Sequence, residues 1–133
     1  MDFSFCMPAK VLVGSGIVGQ NAALLGSLGS RCLLVTGKNS ARLSGALDDV
    51  TAALDSQGIP WSVFDGIGQN PLLSSCHAAG QATREFGADF LVGIGGGSPL
   101  DAAKAAAVYA ANPELSPRDI YGGHKNPALP FAL

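Results

Sequence analysis

The apolar residues of this chain come in short blocks, and the spacing inside the blocks alternates between two patterns. Residues 32–36 (Cys-Leu-Leu-Val-Thr) and 90–94 (Phe-Leu-Val-Gly-Ile) are nearly unbroken apolar runs, as expected of strands buried on both faces. Residues 61–64 predict a third such strand and residues 10–13 a short one near the start. Between these runs the apolar positions recur at helical spacing. Val18, Leu24, Leu25 and Leu28 fall on related faces of a helix predicted over 18–28. Leu47, Val50 and Leu54 do so over 43–57, with Asp48, Asp49 and Asp55 facing out and Gly58 as the stop. Residues 72–86 predict a helix that Gly87 ends, and residues 99–111 an alanine-rich one that ends before Asn112-Pro113.

Strands alternating with helices of this length form parallel βαβ units with right-handed crossovers. The expected fold class is therefore α/β: one domain over residues 1–133 built on a doubly wound, mostly parallel sheet. Residues 112–130 carry Pro113, Pro117, Pro127 and Pro130 together with Gly122-Gly123, and read as loop. Phe131-Ala132-Leu133 then looks like the start of another strand, so the domain is expected to be truncated at its C-terminal end.

Composition narrows the class. The chain has 133 residues, 47% of them hydrophobic and only 14% charged, which suits elements that pack on both sides. A net charge of −2 gives no electrostatic case for nucleic acid or an anionic membrane. Cys6, Cys32 and Cys76 are odd in number and unpatterned, so they are expected to act as small apolar residues rather than as a disulfide or zinc set. No basic segment precedes an apolar one at the start, and no apolar run is long enough to span a bilayer. The expectation is a soluble, cytoplasmic domain with no nucleic-acid or membrane partner.

The strongest chemical signal is Gly95-Gly96-Gly97-Ser98-Pro99-Leu100-Asp101-Ala102-Ala103-Lys104, between the predicted strand 90–94 and the helix 99–111. Glycines at a strand-to-helix junction let backbone N–H groups approach an anion without Cβ atoms in the way. The helix that follows aims the positive end of its dipole at the same place. Gly95, Gly96 and Gly97 thus form a candidate phosphate cradle. Ser98 is expected at the N-cap, Pro99 at the first helical position and Asp101 three residues after the cap. Ser98 can cap the helix or face a phosphate oxygen. Asp101 can support the cap beside Lys104 or hydrogen-bond a bound ligand.

Other residues carry weaker signals. Gly14-Ser15-Gly16-Ile17-Val18-Gly19 matches the dinucleotide fingerprint letter for letter, but no acid follows at the end of the 32–36 strand, where the fingerprint requires one. It is expected to be a turn and helix start. His77 lacks a second ligand at helical spacing and reads as structural or surface; His124, in a Gly/Pro loop, reads as an exposed loop histidine. Asp48-Asp49 reads as a solvated helix face, and Asp65 before Gly66 as a turn residue. Pro71 is expected to hold Asn70 extended, near the strand ends where ligands bind in open parallel sheets. Asn70 is then either a ligand contact or an Asx turn that opens the next helix.

These residues carry a resemblance. Gly-Gly-Gly-Ser-x-x-Asp-x-x-Lys at 95–104 resembles the signature loop of the iron-containing (group III) alcohol dehydrogenases. The likeness continues in Val35-Thr36-Gly37-Lys38-Asn39-Ser40, in Phe64-Asp65-Gly66 with Asn70-Pro71, and in Gly87-Ala88-Asp89. It implies a Rossmann-like N-terminal cofactor-binding domain, with a helical metal-binding domain that is missing from this chain. It implies NADP or NAD as cofactor, held by Gly95, Gly96, Gly97, Ser98, Asp101 and Asn70. It also implies a divalent metal, iron or a substitute, bound beyond Leu133, so no metal ligand and no catalytic residue is named here. The implied reaction is hydride transfer between that cofactor and a small alcohol or aldehyde, in an enzyme that can be a homo-oligomer. Many relatives carry Asp where this chain has Gly37; Gly37 and Ser40, with Lys38 and Arg42 nearby, resemble the NADP-preferring version. Rival readings are a dehydroquinate synthase-like or polyol dehydrogenase relative, or a nucleotide-binding module without catalysis. Residues 1–133 by themselves are expected to neither oxidise alcohols nor hold a catalytic metal.

Overall fold

A computed structural model describes residues 1–123 and 125–133. Four parallel strands form one sheet: β1 (Cys32–Gly37), β2 (Trp61–Ile67), β3 (Phe90–Ile94) and β4 (Phe131–Ala132), in the order β2-β1-β3-β4. The chain moves outward from β1 to β2, then crosses back over β1 to β3, so the winding reverses between β1 and β3. This is the doubly wound α/β arrangement expected from the alternating pattern.

The helices divide between the two faces as the strand pleat dictates. On one face Leu33, Val35 and Leu91 pack against α5 (Leu73–Phe86) and α6 (Gly97–Ala111) through Cys76, Ala79, Ala102, Ala103, Ala106 and Tyr109. On the other face Cys32, Leu34, Phe90 and Val92 meet α4 (Ala46–Ser56) through Leu47, Val50 and Leu54. Successive residues of β1 thus serve opposite cores, which is why its pattern is apolar throughout. Burial pushes the Cys32 thiol up to about 12, and burial also raises Cys76; both are the inert apolar residues expected of them. Cys6 differs, because it lies exposed in the N-terminal segment.

Several boundaries depart from expectation, each for a local reason. Residues 10–13 form no strand: Val13 is 90% exposed, and no neighbouring strand takes up the backbone there. The helix predicted over 18–28 is two short ones, α1 (Ile17–Gln20) and α2 (Ala22–Gly26). Asn21 separates them, its Nδ2 donating to the Ile17 carbonyl at 2.9 Å in place of a continued ladder. The helix predicted over 43–57 begins earlier as α3 (Ser40–Leu43), and Gly45 at φ +80 turns the chain into α4. Strand β2 runs on to Ile67, which pairs with Gly37, so Asp65 and Gly66 are strand residues and not a turn.

The loop after α6 is tied down polar group by polar group. Tyr109 Oη donates to the Pro117 carbonyl, and Asn112 Nδ2 donates to the Val108 and Pro127 carbonyls, each at 2.8 Å. His77 Nε2 meets the Leu115 carbonyl at 3.1 Å, and its ring stands edge-on to Tyr109. His77 is the structural histidine expected, whereas His124 lies outside the described residues. Among the described residues no helix is long and apolar enough to cross a membrane.

Asp89 closes the N-terminal edge of the sheet, at the entries of the strands. Its carboxylate accepts from the Ser30 and Arg31 backbone N–H groups and from Ser30 Oγ, all at 2.9 Å, joining the entry of β3 to the entry of β1. Partial desolvation raises its pKa, but the Arg31 and Ser30 hydrogen bonds outweigh that and hold it below the usual aspartate value. A depressed carboxylate stabilises the fold above its unfolded pKa and loses that contribution as pH falls through the folded one. Asp89→Ala is expected to lower the unfolding free energy at pH 7 by about 0.5–1.5 kcal/mol, the hydrogen-bond scale reduced by solvent screening of an exposed carboxylate. Urea titrations of both proteins should show the difference shrinking once the pH drops below about 3.9; a difference that stays constant with pH contradicts the charged-acceptor role.

Candidate functional site

The site is the C-terminal edge of the sheet where the winding reverses, the place open parallel sheets leave a crevice. A cleft of about 370 Å³ opens there, lined by Gly37, Lys38 and Ser40 from β1 and α3, by Ile67, Gly68 and Gln69 after β2, and by Gly96, Gly97, Ser98 and Pro99 at the start of α6. Strand β1 lies between the other two walls because it pairs with both β2 and β3.

The glycine wall is built by backbone conformation. Gly95 adopts φ +141, a region closed to L side chains, and a Cβ there would meet Pro99 Cγ at 2.9 Å. Gly96 is extended (φ −80, ψ −163) and is the N-cap; α6 begins at Gly97. A Cβ at Gly96 or Gly97 would meet nothing within 4 Å. The space over these two residues is open, and the first-turn N–H groups of α6 have no side-chain cap. Pro99 has no N–H and Leu100 N–H donates to the Gly96 carbonyl, so the Gly97 and Ser98 N–H groups are the first-turn donors left at the positive end of a fifteen-residue helix; they suit an anion, and the residues present fit a pyrophosphate.

The predicted capping arrangement is not what forms. With Gly96 at the N-cap, Ser98 and Pro99 are the second and third helical residues, and Ser98 makes no cap hydrogen bond. Pro99 still lies in the first turn, where its missing N–H costs nothing, and its buried ring fills the space beside Gly95. Asp101 is one turn in and exposed, held by Lys104 Nζ at 3.1 Å, so no capping box exists. The reason is the freedom of Gly95, which lets the chain enter the helix two residues early.

The predicted site residues are only partly brought together. Gly37, Ser40, Gly96, Gly97 and Ser98 line the cleft, whereas Gly95, Asn70 and Asp101 do not line it, although each is close in the chain to a residue that does. Asn70 is not extended as Pro71 suggested; it has φ +51, the one positive φ outside glycine among the described residues. Asparagine tolerates this left-handed region better than other residues, and here that tolerance outweighs the pre-proline restriction. Its side chain does not cap α5, whose N-cap is Leu72. Sequence reasoning missed Ile67, Gly68 and Gln69; the polar Gly-Gln pair just past a strand end was the available signal.

The fingerprint-like run 14–19 lies elsewhere. It forms a turn and the four-residue α1, beside Asp49, Ala52, Ala53 and Ser56 of α4, and no strand precedes it. It lacks the strand–turn–long-helix context that a pyrophosphate site needs. No cluster of three or more His, Cys, Asp or Glu able to hold a metal occurs among the described residues, so these residues do not fit a metal centre.

Comparison with known proteins agrees with this geometry. The chain is 43% identical over 89 residues to a long-chain primary alcohol dehydrogenase of Thermoanaerobacter ethanolicus, covering 67% of this chain and 22% of that protein. It is 31% identical over 116 residues to an NADPH-dependent butanol dehydrogenase of Clostridium saccharobutylicum, covering 87% and 29%. An iron-containing alcohol dehydrogenase of Thermotoga maritima superposes with a TM-score of 0.92 at 38% identity, over 98% of this chain and 36% of that one. The chain thus spans about a fifth to a third of these relatives' lengths. The family model for iron-containing alcohol dehydrogenases matches residues 8–133. With a reversal-point cleft walled by Gly96, Gly97 and Gly37, the chain belongs to the iron-containing alcohol dehydrogenase family.

Proposed function

We propose that this chain is the nucleotide-holding part of a nicotinamide-dependent alcohol dehydrogenase that prefers NADP and acts on a small alcohol or aldehyde. The observation that carries this reading is the uncapped start of α6 facing the open space over Gly96 and Gly97, at the sheet's winding reversal. Backbone N–H groups there would hold the pyrophosphate, and Ser98 would add its hydroxyl. The bound cofactor supplies or accepts the hydride; the protein supplies position and electrostatics. Any metal of the parent enzyme must be held by residues outside the described set, and no step is assigned to it.

The preference for NADP rests on the β1 wall. An acid at this strand end accepts from a ribose 2′-hydroxyl and repels a 2′-phosphate. Gly37 offers no charge, Lys38 brings a cation to the cleft, and Ser40 brings a hydroxyl. These are donors without a carboxylate, which suits a phosphate.

Two substitutions in the full-length protein test the reading. A Cβ at Gly96 would meet no neighbour within 4 Å, and the φ of −80 there suits an L residue, so Gly96→Val should keep the melting temperature within about 2 °C. Cofactor affinity should fall by about a hundredfold or more, roughly 3 kcal/mol, because the branched side chain fills the phosphate position. Gly19→Val, equally unhindered but in the other glycine run, should leave affinity unchanged. The reverse pattern in equilibrium binding would place the pyrophosphate on the wrong motif.

The second substitution is Gly37→Asp. A Cβ there makes only ordinary contacts, 3.5 Å to Ser40 Oγ and 3.6 Å to the Ile67 carbonyl. The variant should shift the kcat/KM ratio toward NAD by ~1–3 kcal/mol, the scale of a charge-assisted hydrogen bond. A wild-type enzyme that already favours NAD strongly would sink the NADP assignment.

A further inference from the structure

The reading above uses two walls of the cleft and leaves the third without a role. That wall is Gly68-Gln69, immediately after β2. The sheet order puts it on the far side of β1 from the glycine loop, because β1 pairs with β3 on one edge and β2 on the other. Gly37 is in register with Ile67, so Gln69 stands two residues beyond the last paired position, across from Lys38 and Ser40. Gln69 is exposed at the cleft, and Gly68 beside it would have no neighbour within 4 Å of a Cβ.

Geometry then limits what Gln69 can meet. A dinucleotide with its pyrophosphate over Gly96 and Gly97 must send one nucleoside across Gly37 toward β2. The ribose that crosses Gly37 lies between Lys38 and Ser40 on one side and Gln69 on the other. Lys38 is a point charge, and the Ser40 hydroxyl both donates and accepts. Gln69 brings the one carboxamide lining the cleft among the described residues, with two N–H donors and a carbonyl acceptor.

We infer that Gln69 is a specificity-determining residue that reads the 2′ position of the adenosine ribose, donating from Nε2 to a 2′-phosphate. The inference rests on the dinucleotide reading of the cleft and adds a residue to it. A carboxamide is neutral and can turn its carbonyl to a 2′-hydroxyl instead. Gln69 therefore favours the phosphate without excluding the hydroxyl form, and Lys38 supplies the charge discrimination.

The test is calorimetric binding of two probes, adenosine 2′,5′-bisphosphate and ADP, to the full-length protein, with no metal, nicotinamide or turnover required. Gln69→Glu keeps the size, removes the donors and adds a negative charge. It should weaken the bisphosphate about tenfold or more while ADP binding is kept or tightened. Gln69→Ala should weaken the bisphosphate about fivefold and change ADP less than about twofold. If both variants keep the wild-type ratio of the two dissociation constants, the Gln69 assignment is wrong. Gly96→Val distinguishes loss of the pyrophosphate seat from loss of the Gln69 contact. Loss of ADP in that variant, with an unchanged ratio in the Gln69 variants, would leave the dinucleotide reading standing and remove only Gln69. A wild-type protein that binds neither probe would overturn both.

Discussion

The close seating of α6 on the sheet is the constraint on which the cleft depends. Gly93 makes it possible: a Cβ there would lie 2.9 Å from the Ala103 Cβ, too near for two carbons to coexist. Ala102, Ala103, Ala106 and Ala107 present the small face that lies down on β1 and β3. Gly80 lets α5 approach from the side, since a Cβ there would come within 2.6 Å of the Tyr109 Cβ. With the helix pressed this close, the position of its first turn over the strand ends is fixed. A larger residue at any of these contacts would lift α6 and carry its N–H groups away from Gly37.

The electrostatics of the edge follow from that seating more than from side-chain charge. The anion-attracting groups are backbone dipoles held by packing, and Lys38 is the one charged side chain lining the cleft among the described residues. Asp101, the nearest carboxylate of α6, is engaged by Lys104 on the exposed side and does not line the cleft. A site of this kind binds through pre-set geometry, so little side-chain freedom is lost when a ligand arrives.

Much of this was legible in the amino-acid order. The unbroken runs at β1 and β3 announce strands buried on both faces, and Gly87, at φ +74, is the helix stop its place predicted. The glycine triplet where β3 leads into α6 pointed to the candidate site, because residues without Cβ atoms leave room for an anion at a helix start. Capping failed as a guide. Ser98 and Pro99 look like a cap and first helical residue, but Gly95 and Gly96 adopt conformations that start the helix sooner. Asn70 failed likewise, since a dipeptide rule cannot weigh the turn that the surrounding chain imposes.

The sequence by itself determined the βαβ alternation, the double-sided burial and the anion-seeking start of α6, because each rests on periodicity or on local backbone freedom. Only the tertiary structure decided that the 14–19 run has no strand before it and packs beside α4. It also decided that Gln69 shares a cleft with Lys38 and Ser40, which Asp101 does not line. Those are matters of strand order and register, set by which faces find a partner to bury, and neighbours in the chain carry no record of them.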